Sequence, residues 1–342
     1  MTEIIITKPD DMHLHLREGK LLEAVIKDTE KQFARAIVMP NLKNPVVDVE
    51  KATVYYKEIK KFSTIFEPLM TLYFTDELTL NEIKKASDSS IIIGIKLYPA
   101  GVTTNSAKGL KSIEDSYHLF EAMEKTDLPL LIHGEVSDRN VDIFDREKSF
   151  IDNYLIGITK NFPNLRVVFE HISTQDAVSF VNESSQKVAA TITPQHILMN
   201  RNDLLSGGIK PHNYCLPVLK RSIHQQAVLN AAVSGNPKFF LGTDSAPHLR
   251  QEKESACGCA GVYSAATAIE LYAEIFEKNN ALDKLENFSS TFGADFYQLP
   301  RNKTKLKLIK NENTIAKSIK FDGGEIIPFM AGNQIQWQSL AL

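Results

Sequence analysis

Short apolar runs alternate along the chain with segments in which apolar residues recur every three or four positions. Segments such as 46–61 and 113–125 have this helical spacing. Runs of four to eight residues, rich in β-branched and aromatic side chains, predict buried strands, and the intervening spacing predicts amphipathic helices. The eight runs lie near residues 11–15, 35–39, 66–74, 91–97, 128–133, 165–171, 188–193 and 238–243.

Regular alternation of strands and helices predicts a parallel sheet that is covered by helices. Eight such units before about residue 280 favour a (β/α)8 barrel of the TIM type over an open sheet. No Gly-x-Gly-x-x-Gly motif follows the first run, which argues against a dinucleotide-binding sheet. We therefore expect one domain over residues 1–342, in which residues 280–342 form a helical and extended C-terminal appendage.

Charge and composition exclude several classes of protein. The chain is 43% hydrophobic and 24% charged, which is typical of a globular protein and not of a disordered one. Its formal net charge is −3, and no basic stripe is present, so we expect no nucleic-acid partner. The Lys-rich stretch 301–320 alternates with Leu and Ile, and we interpret it as a solvated surface.

We expect a cytoplasmic protein with no membrane partner. No run reaches the roughly eighteen apolar residues of a membrane span, and the N-terminus lacks a basic region followed by an apolar stretch. The cysteines Cys215, Cys257 and Cys259 are too few for a disulfide framework. Cys257 and Cys259 are also closer in sequence than the cysteines of zinc knuckles, which favours a loop with incidental thiols.

Polar residues suited to metal binding or acid–base chemistry stand where the apolar runs end. Barrel enzymes assemble their active sites at the carboxyl ends of the strands, so we expect these side chains to meet at one barrel mouth. They are His13, His15 and Arg17 after the first run, Asn41 after the second, Lys96 in the fourth, His133 and His171 after the fifth and sixth, and Asp244 with His248 after the eighth.

The pair His13 and His15 indicates a metal site. Residues two apart on a strand project to the same face, whereas on a helix they would diverge. Imidazole and carboxylate groups are the ligands that Zn²⁺ and similar divalent ions accept. The alternative is a polar alternation on a half-exposed strand.

Four histidines, an aspartate and a lysine are more ligands than one ion needs, so we expect two ions if an anionic group bridges them. An ammonium group has no acceptor and repels cations. Reaction of the neutral amine of Lys96 with CO2 would give a carbamate, which offers two oxygen ligands. The alternative for Lys96 is a salt bridge to a carboxylate such as Asp244.

Motifs along nearly the whole chain resemble those of dihydroorotases of the bacterial single-function type, within the amidohydrolase superfamily. The motifs are Pro9-Asp-Asp-Met-His-Leu-His-Leu-Arg17, Ala36-Ile-Val-Met-Pro-Asn41, Lys96-Leu-Tyr-Pro-Ala100, His133-Gly-Glu135, Phe169-Glu-His171, Thr191-Ile-Thr-Pro-Gln-His196, Tyr214-Cys-Leu-Pro217, Gly242-Thr-Asp-Ser-Ala-Pro-His248 and Lys253-Glu-Ser-Ala-Cys-Gly-Cys-Ala-Gly261.

This resemblance implies two Zn²⁺ ions per subunit, bridged by N6-carboxylated Lys96 and a hydroxide. His13, His15 and Asp244 would bind the first ion, and His133 and His171 the second. The remaining implied contacts are with the substrate: Arg17, Asn41 and His248 at its carboxylate, backbone groups of Leu216 and Ala260 at the ring edge, Thr103 and Thr104 from a loop, and His133 beside the reacting group.

The resemblance also implies an activity, the reversible cyclisation of N-carbamoyl-L-aspartate to L-dihydroorotate in pyrimidine biosynthesis. A metal-activated hydroxide would attack the cyclic amide, with Asp244 as general acid and base. The segment 101–109, rich in Gly, Ser and Thr, would close as a lid. From the family alone we expect a homodimer.

Two other functions stay open at this point. A different amidohydrolase, such as a hydantoinase or allantoinase, would share the metal ligands, but a ring without a carboxylate has no use for Arg17, Asn41 and His248. A non-catalytic barrel that serves as a partner subunit of aspartate transcarbamoylase would have lost metal ligands, and this chain retains them all.

Four histidines and two glutamates lie outside this set. His196 and His212 are expected to be structural, and so are His118 and His224 on helical patterns. Glu135 and Glu170 adjoin the proposed ligands, and strand alternation could equally turn Glu170 away from them. The sequence leaves both glutamates without a role.

Overall fold

The apolar runs form strands close to the residues that the pattern predicts. In the computed structural model, which describes residues 3–342, β2 to β9 form one sheet in chain order, and each neighbouring pair is parallel. The predicted (β/α)8 barrel is confirmed. The strands are β1 (Glu3–Thr7), β2 (Asp10–Leu14), β3 (Arg35–Val38), β4 (Glu67–Phe74), β5 (Ile92–Leu97), β6 (Leu130–Ile132), β7 (Val167–Phe169), β8 (Val188–Ile192), β9 (Phe239–Leu241), β10 (Lys305–Thr314), β11 (Ile319–Phe321), β12 (Gly324–Ile326) and β13 (Gln334–Ala341).

Helices follow the barrel strands and cover the outside of the sheet. Side-chain caps begin several of them: Asp48 accepts from the Lys51 amide, and Thr79 and Thr174 act in the same way. The helices are α1 (Gly19–Gln32), α2 (Val49–Phe62), α3 (Leu80–Ser87), α4 (Tyr117–Lys125), α5 (Arg146–Phe150), α6 (Ile156–Asn161), α7 (Gln175–Glu183), α8 (Pro194–Leu198), α9 (Arg201–Leu205), α10 (Ser222–Ala232), α11 (Arg250–Lys253), α12 (Ala268–Lys278) and α13 (Phe292–Phe296).

The barrel closes at the seam between β2 and β9, at the carboxyl ends of both strands. The carbonyl of His13 accepts from the Asp244 amide at 2.9 Å, and the His15 amide donates to the Ser245 carbonyl at 3.0 Å. The buried Asp11 carboxylate accepts from the amide and hydroxyl of Thr243 at 2.8 and 2.5 Å. These contacts hold the ends of the first and last barrel strands together.

Two apolar layers hold the barrel. The larger lies between the strands and the surrounding helices, where α1 buries Leu22, Val25 and Ile26. The smaller fills the barrel interior, where inward side chains such as Met12 and Phe240 pack together. Residues from α13 close the amino-terminal end of the barrel, so the polar groups are left at the carboxyl end.

Both ends of the chain contribute to one antiparallel sheet, in which β10 pairs with β1 on one side and β13 on the other. The sequence pattern did not predict β1, because its five residues precede the first barrel strand with almost no interval. The division of the domain at residue 280 stays a prediction. Among the residues that the structure describes, no helix combines the length and apolar character required to cross a bilayer.

His196 lies in α8 and links this helix to the loop that contains Pro217. The Pro217 carbonyl lies 2.8 Å from its Nε2, which therefore carries the proton, and its Nδ1 lies 2.8 Å from the Thr193 hydroxyl. Burial lowers the pKa of His196 to about 4. These contacts agree with the structural role expected for His196.

We predict that His196→Gln removes a pH-dependent part of the stability. The pKa of His196 is lower in the folded protein than in the unfolded chain, so its neutral form stabilises the fold above about pH 6.5, and this contribution is lost as the pH falls toward 4. Between about pH 7.5 and about pH 5, the free energy of unfolding of the wild type should fall by about 2 kcal/mol more than that of the variant.

Urea unfolding at both pH values measures this difference. Metal loss at low pH affects the wild type and the variant alike, so it does not change the difference between their free energies of unfolding. His118→Gln, which changes an exposed histidine, is the control and should keep the wild-type pH dependence. Equal pH dependence in wild type and His196→Gln would contradict the assignment.

Candidate active site

A cavity at the carboxyl ends of the strands collects nearly all the residues that the sequence singled out. Two of the predicted residues do not line the cavity. Lys96 forms a hydrogen bond with Glu170, and His248 contacts Arg17, which does line it. The cavity is lined by His13, His15, Arg17, Asn41, Tyr98, Thr103, Thr104, His133, His171, Leu216, Asp244, Ala246, Ala260 and Gly261.

The seam of the barrel brings the first group of candidate ligands together. Oδ1 of Asp244 lies 3.1 Å from Nε2 of His15 and 3.4 Å from Nε2 of His13. Asp244 has φ 46°, in the left-handed region that is uncommon for residues other than glycine. The Asp244 amide donates to the His13 carbonyl, and the Thr243 amide donates to the Asp11 carboxylate. Because these contacts hold the end of β9 in place, Asp244 keeps that conformation and points into the mouth.

Lys96 pairs with Glu170 and not with Asp244, the partner that the salt-bridge alternative named. Glu170 is buried, and its other oxygen, Oε1, lies 2.9 Å from Nδ1 of His13. The sequence left Glu170 without a role because strand alternation was expected to decide its direction. The strand β7 ends at Phe169, so alternation no longer applies to Glu170.

His133 and His171 form the second group, with ring centroids 4.7 Å apart. Nε2 of His133 lies 2.9 Å from Oε2 of Glu135, a contact in which the ring nitrogen donates to the carboxylate. This contact fixes the tautomer and leaves Nδ1 of His133 free to act as a ligand. The sequence left Glu135 unassigned, and the structure places it where it orients a candidate ligand.

The charges of the cluster favour a cation in its centre. Burial lowers the pKa of His13, but the carboxylates of Glu170 and Asp244 outweigh this effect and raise the pKa to about 9. Burial raises the pKa of Asp244, but hydrogen bonds from His13 and His15 hold it well below its ordinary value. The carboxylates are therefore ionised, and they stabilise positive charge between them.

The other imidazoles are neutral, which is the form that binds metal. Burial lowers the pKa of His15 to about 4, and it lowers the pKa of His133 and His171 as well. Burial also lowers the pKa of Lys96, although Glu170 opposes this effect. A lysine of lowered pKa has a larger fraction of the neutral amine that reacts with CO2.

The donor set fits divalent metal ions. Two groups have ligand atoms within 4.8 Å of one another: His13, His15 and Asp244, and His13, Glu170 and His171. Among the described residues, Nδ1 of His171 is buried and has no hydrogen-bond partner, whereas Nδ1 of His13 and Oε1 of Glu170 lie 2.9 Å apart and face each other. Buried polar atoms without partners are rare in proteins, and metal ligation would satisfy them.

Arg17, His248 and Asn41 lie on the outer side of the same cavity. Nη2 of Arg17 lies 3.1 Å from Nε2 of His248, and Nε of Arg17 donates to the Pro247 carbonyl at 3.2 Å. Burial lowers the pKa of His248 to about 2, so its ring is neutral beside the guanidinium. Within residues 3–342, Oδ1 of Asn41 is buried without a hydrogen-bond partner.

The segment 101–109 covers the mouth. The Thr104 hydroxyl donates to the Ala260 carbonyl at 3.3 Å, and the Asn41 amide donates to the Thr104 carbonyl at 3.0 Å. The cavity beneath has a free volume of about 20 Å³, which is room for about one water molecule. The contacts of Thr104 therefore tie the segment 101–109 to two parts of the cavity wall.

The structure adds two residues that the sequence did not single out. Asp11 accepts hydrogen bonds from the Thr243 and His13 amides beneath the site, and the buried hydroxyl of Tyr98 at the cavity wall has no hydrogen-bond partner among the described residues. The available signal for Asp11 was alternation, because it lies two residues before His13 on β2. Tyr98 follows the last residue of β5, so alternation gave no signal for it.

Comparison with known proteins identifies the family of the chain. The family model described as "Amidohydrolase family" matches residues 5–333. A dihydroorotase of Picosynechococcus sp. is 56% identical over 99% of both chains. The crystal structure of dihydroorotase from Saccharomyces cerevisiae in complex with 5-fluoroorotic acid has a TM-score of 0.93 at 36% identity and covers 100% of this chain and 99% of its own.

Dihydroorotase from Campylobacter jejuni has a TM-score of 0.91 at 34% identity, with coverage of 99% of this chain and 98% of its own. Sequence identity above 30% over nearly the full length of both chains exceeds what a shared barrel alone would give. The chain therefore belongs to the amidohydrolase family and, within it, to the dihydroorotases.

Proposed function

We propose that the protein interconverts N-carbamoyl-L-aspartate and L-dihydroorotate in de novo pyrimidine biosynthesis. The observation that carries this proposal is the position of Arg17, whose guanidinium lines the same cavity as the candidate metal ligands His13, His15 and Asp244. A guanidinium is suited to paired hydrogen bonds with a carboxylate. One cavity thus offers a group for the substrate carboxylate and groups for hydrolytic chemistry.

His13, His15 and Asp244 would hold one zinc ion, and His133 and His171 the other, with carboxylated Lys96 between them. When bound, these ions supply a nucleophile from water near neutral pH and polarise the carbonyl of the amide. Glu135 keeps the His133 ring in the tautomer that exposes Nδ1, and Oε1 of Glu170, 2.9 Å from Nδ1 of His13, would orient the His13 ring in the same way.

Arg17, Asn41 and His248 would bind the substrate carboxylate. The Arg17 guanidinium presents Nη2 toward the neutral ring of His248, and Nδ2 of Asn41, which donates to the Thr104 carbonyl at 3.0 Å, is the atom that would donate to a carboxylate. Leu216 and Ala260 line the same cavity, and their backbone groups would bind the ring edge. Such fixed placement lowers the entropic cost of reaching the reactive geometry.

Asp244 would move the proton. In hydrolysis its carboxylate accepts a proton from the attacking water and delivers it to the departing ring nitrogen. In cyclisation it takes the proton from the carbamoyl nitrogen and gives it to the departing oxygen. Its contacts with His13 and His15 keep it ionised and oriented before either direction begins.

Thr103 and Thr104 would contact the substrate when the segment 101–109 closes over it. The contact that supports this role is the hydrogen bond from the Thr104 hydroxyl to the Ala260 carbonyl. Closure excludes water from the reacting atoms and completes the set of contacts.

The first experiment measures cyclisation directly. Ring closure consumes a proton because a carboxylate is lost, so we expect the zinc-loaded protein to convert N-carbamoyl-L-aspartate to dihydroorotate in mildly acidic solution, with a rise in ring absorbance. Hydantoin, which lacks the carboxylate, should be a poor substrate. Activity on hydantoin without cyclisation of carbamoyl aspartate would reject the proposal in favour of a hydantoinase.

A second prediction concerns Lys96. We expect Lys96→Ala to lose at least one of two zinc ions per chain and to lower kcat by about a thousandfold or more, since the anionic bridge is absent. Acetate, which can occupy the vacated space as a carboxylate, should restore part of the metal content and activity, whereas ethylamine should not. Lys238→Ala, which changes a buried lysine at the other end of the barrel, should keep wild-type metal content. Wild-type metal content and turnover in Lys96→Ala would reject the bridging role.

A further inference from the structure

Lys253 is a buried cation that none of the proposed chemistry uses. It ends α11, and its side chain is only 3% exposed. Its Nζ donates to three backbone carbonyls, those of Tyr214 at 2.8 Å, Cys259 at 2.8 Å and Gly261 at 2.7 Å. The three N–H donors of an ammonium group are thereby all used, and no carboxylate takes part.

These three acceptors belong to segments 214–216 and 259–261. The two segments contain Leu216 and Ala260, which would bind the ring edge, and together they form the ring-facing wall of the cavity. Tyr214 is two residues before Leu216, and Cys259 and Gly261 flank Ala260, whose carbonyl also accepts from Thr104 of the closing segment. The Gly261 amide donates to the Tyr214 carbonyl at 3.0 Å, so the two segments touch next to Lys253.

Segment 259–261 packs closely against its neighbours at Gly261. A side chain at Gly261 would place its Cβ 2.8 Å from Cβ of Ala246 and 2.8 Å from Cδ2 of His248. The backbone at Gly261 therefore packs directly against Ala246 and against His248, which would bind the substrate carboxylate. Lys253 links segments 214–216 and 259–261, because its Nζ donates to carbonyls of both.

Burying an ammonium group without a counter-ion costs free energy, which its hydrogen bonds must offset. Burial lowers the pKa of Lys253 to about 8. The side chain also lies 5.7 Å from the centroid of the Tyr214 ring. An apolar residue of the same length would avoid the cost of burial, so the lysine is explained by what its three donors hold in place.

We propose that Lys253 is a positioning residue for the substrate ring, which sets the distance between segments 214–216 and 259–261 so that Leu216 and Ala260 can bind the ring edge. This inference rests on the proposed function of the cavity. Lys253 does not touch the substrate and is not a metal ligand.

The structure supplies a matched control. Lys238 is also buried and also donates to three carbonyls, those of Val181 at 3.1 Å, Asn182 at 3.3 Å and Ser184. It immediately precedes β9, at the amino-terminal end of the barrel away from the cavity. Lys253→Met and Lys238→Met each remove the same kind of donor set, but only the first is next to the ring-facing wall.

The experiment compares both variants with the wild type in the zinc-loaded protein. For Lys253→Met we expect about a tenfold rise in KM for N-carbamoyl-L-aspartate and about a tenfold weaker Kd for 5-fluoroorotate. We expect kcat to change by less than about threefold, because ring-edge contacts bind ground state and transition state alike. Zinc content should stay at the wild-type value.

Lys238→Met should lower Tm to a similar extent but keep the wild-type KM and 5-fluoroorotate affinity. Wild-type KM and affinity in Lys253→Met, or an equal loss of affinity in Lys238→Met, would overturn the inference. If Lys253→Met does not fold, Lys253→Arg is measured instead, since it retains the cation but its planar fork cannot reach three carbonyls around one point. It should show the same rise in KM, and a wild-type KM there overturns the inference.

The proposed function can fail separately. In that case the wild type does not cyclise carbamoyl aspartate, whereas failure of the Lys253 inference leaves wild-type cyclisation intact and shows only in the comparison of the two variants. The affinity for 5-fluoroorotate tests the role of Lys253 without reference to turnover.

Discussion

The seam between β2 and β9 is the constraint on which the candidate site depends. Eight parallel strands become a barrel only if the last strand returns to the first, and here the closing contacts lie at the carboxyl ends, where Asp11 binds the Thr243 amide and hydroxyl. The same contacts bring Asp244 within 3.4 Å of His13 and within 3.1 Å of His15, although about 230 residues separate them in sequence. The contacts that close the barrel therefore also bring the first group of candidate ligands together.

Electrostatics then decide what the assembled groups can hold. Two buried carboxylates, Glu170 and Asp244, face imidazoles and the amine of Lys96 in a region that solvent hardly reaches. Ionised groups in such surroundings need compensating charge, and the raised pKa of His13 shows how strongly this position favours a cation. Outside this cluster, Arg17 adds a separate positive group for an anionic ligand. Under the proposed function, one half of the cavity would bind the metal ions and the other half the substrate carboxylate.

Much of this arrangement follows from the sequence, because strand alternation and strand ends are local properties. The eight barrel strands, the convergence of His13, His15, His133, His171 and Asp244, and the position of Arg17 could all be predicted from the pattern. The partner of Lys96 could not, because Glu170 follows the last residue of β7 and its direction depends on the turn. The contacts of Lys253 were equally inaccessible, since its three acceptors come from loops whose approach only the folded chain defines.

The central claim is that these side chains together hold two metal ions with Lys96 between them. Anomalous diffraction from crystals of the zinc-loaded protein, collected on both sides of the zinc absorption edge, tests it most directly. The account predicts two zinc peaks, one among His13, His15 and Asp244 and one beside His133 and His171, with density for a carboxylated Lys96 joining them. A single peak, or a Lys96 that ends in an ammonium group paired with Glu170 in the metal-loaded crystal, would contradict it.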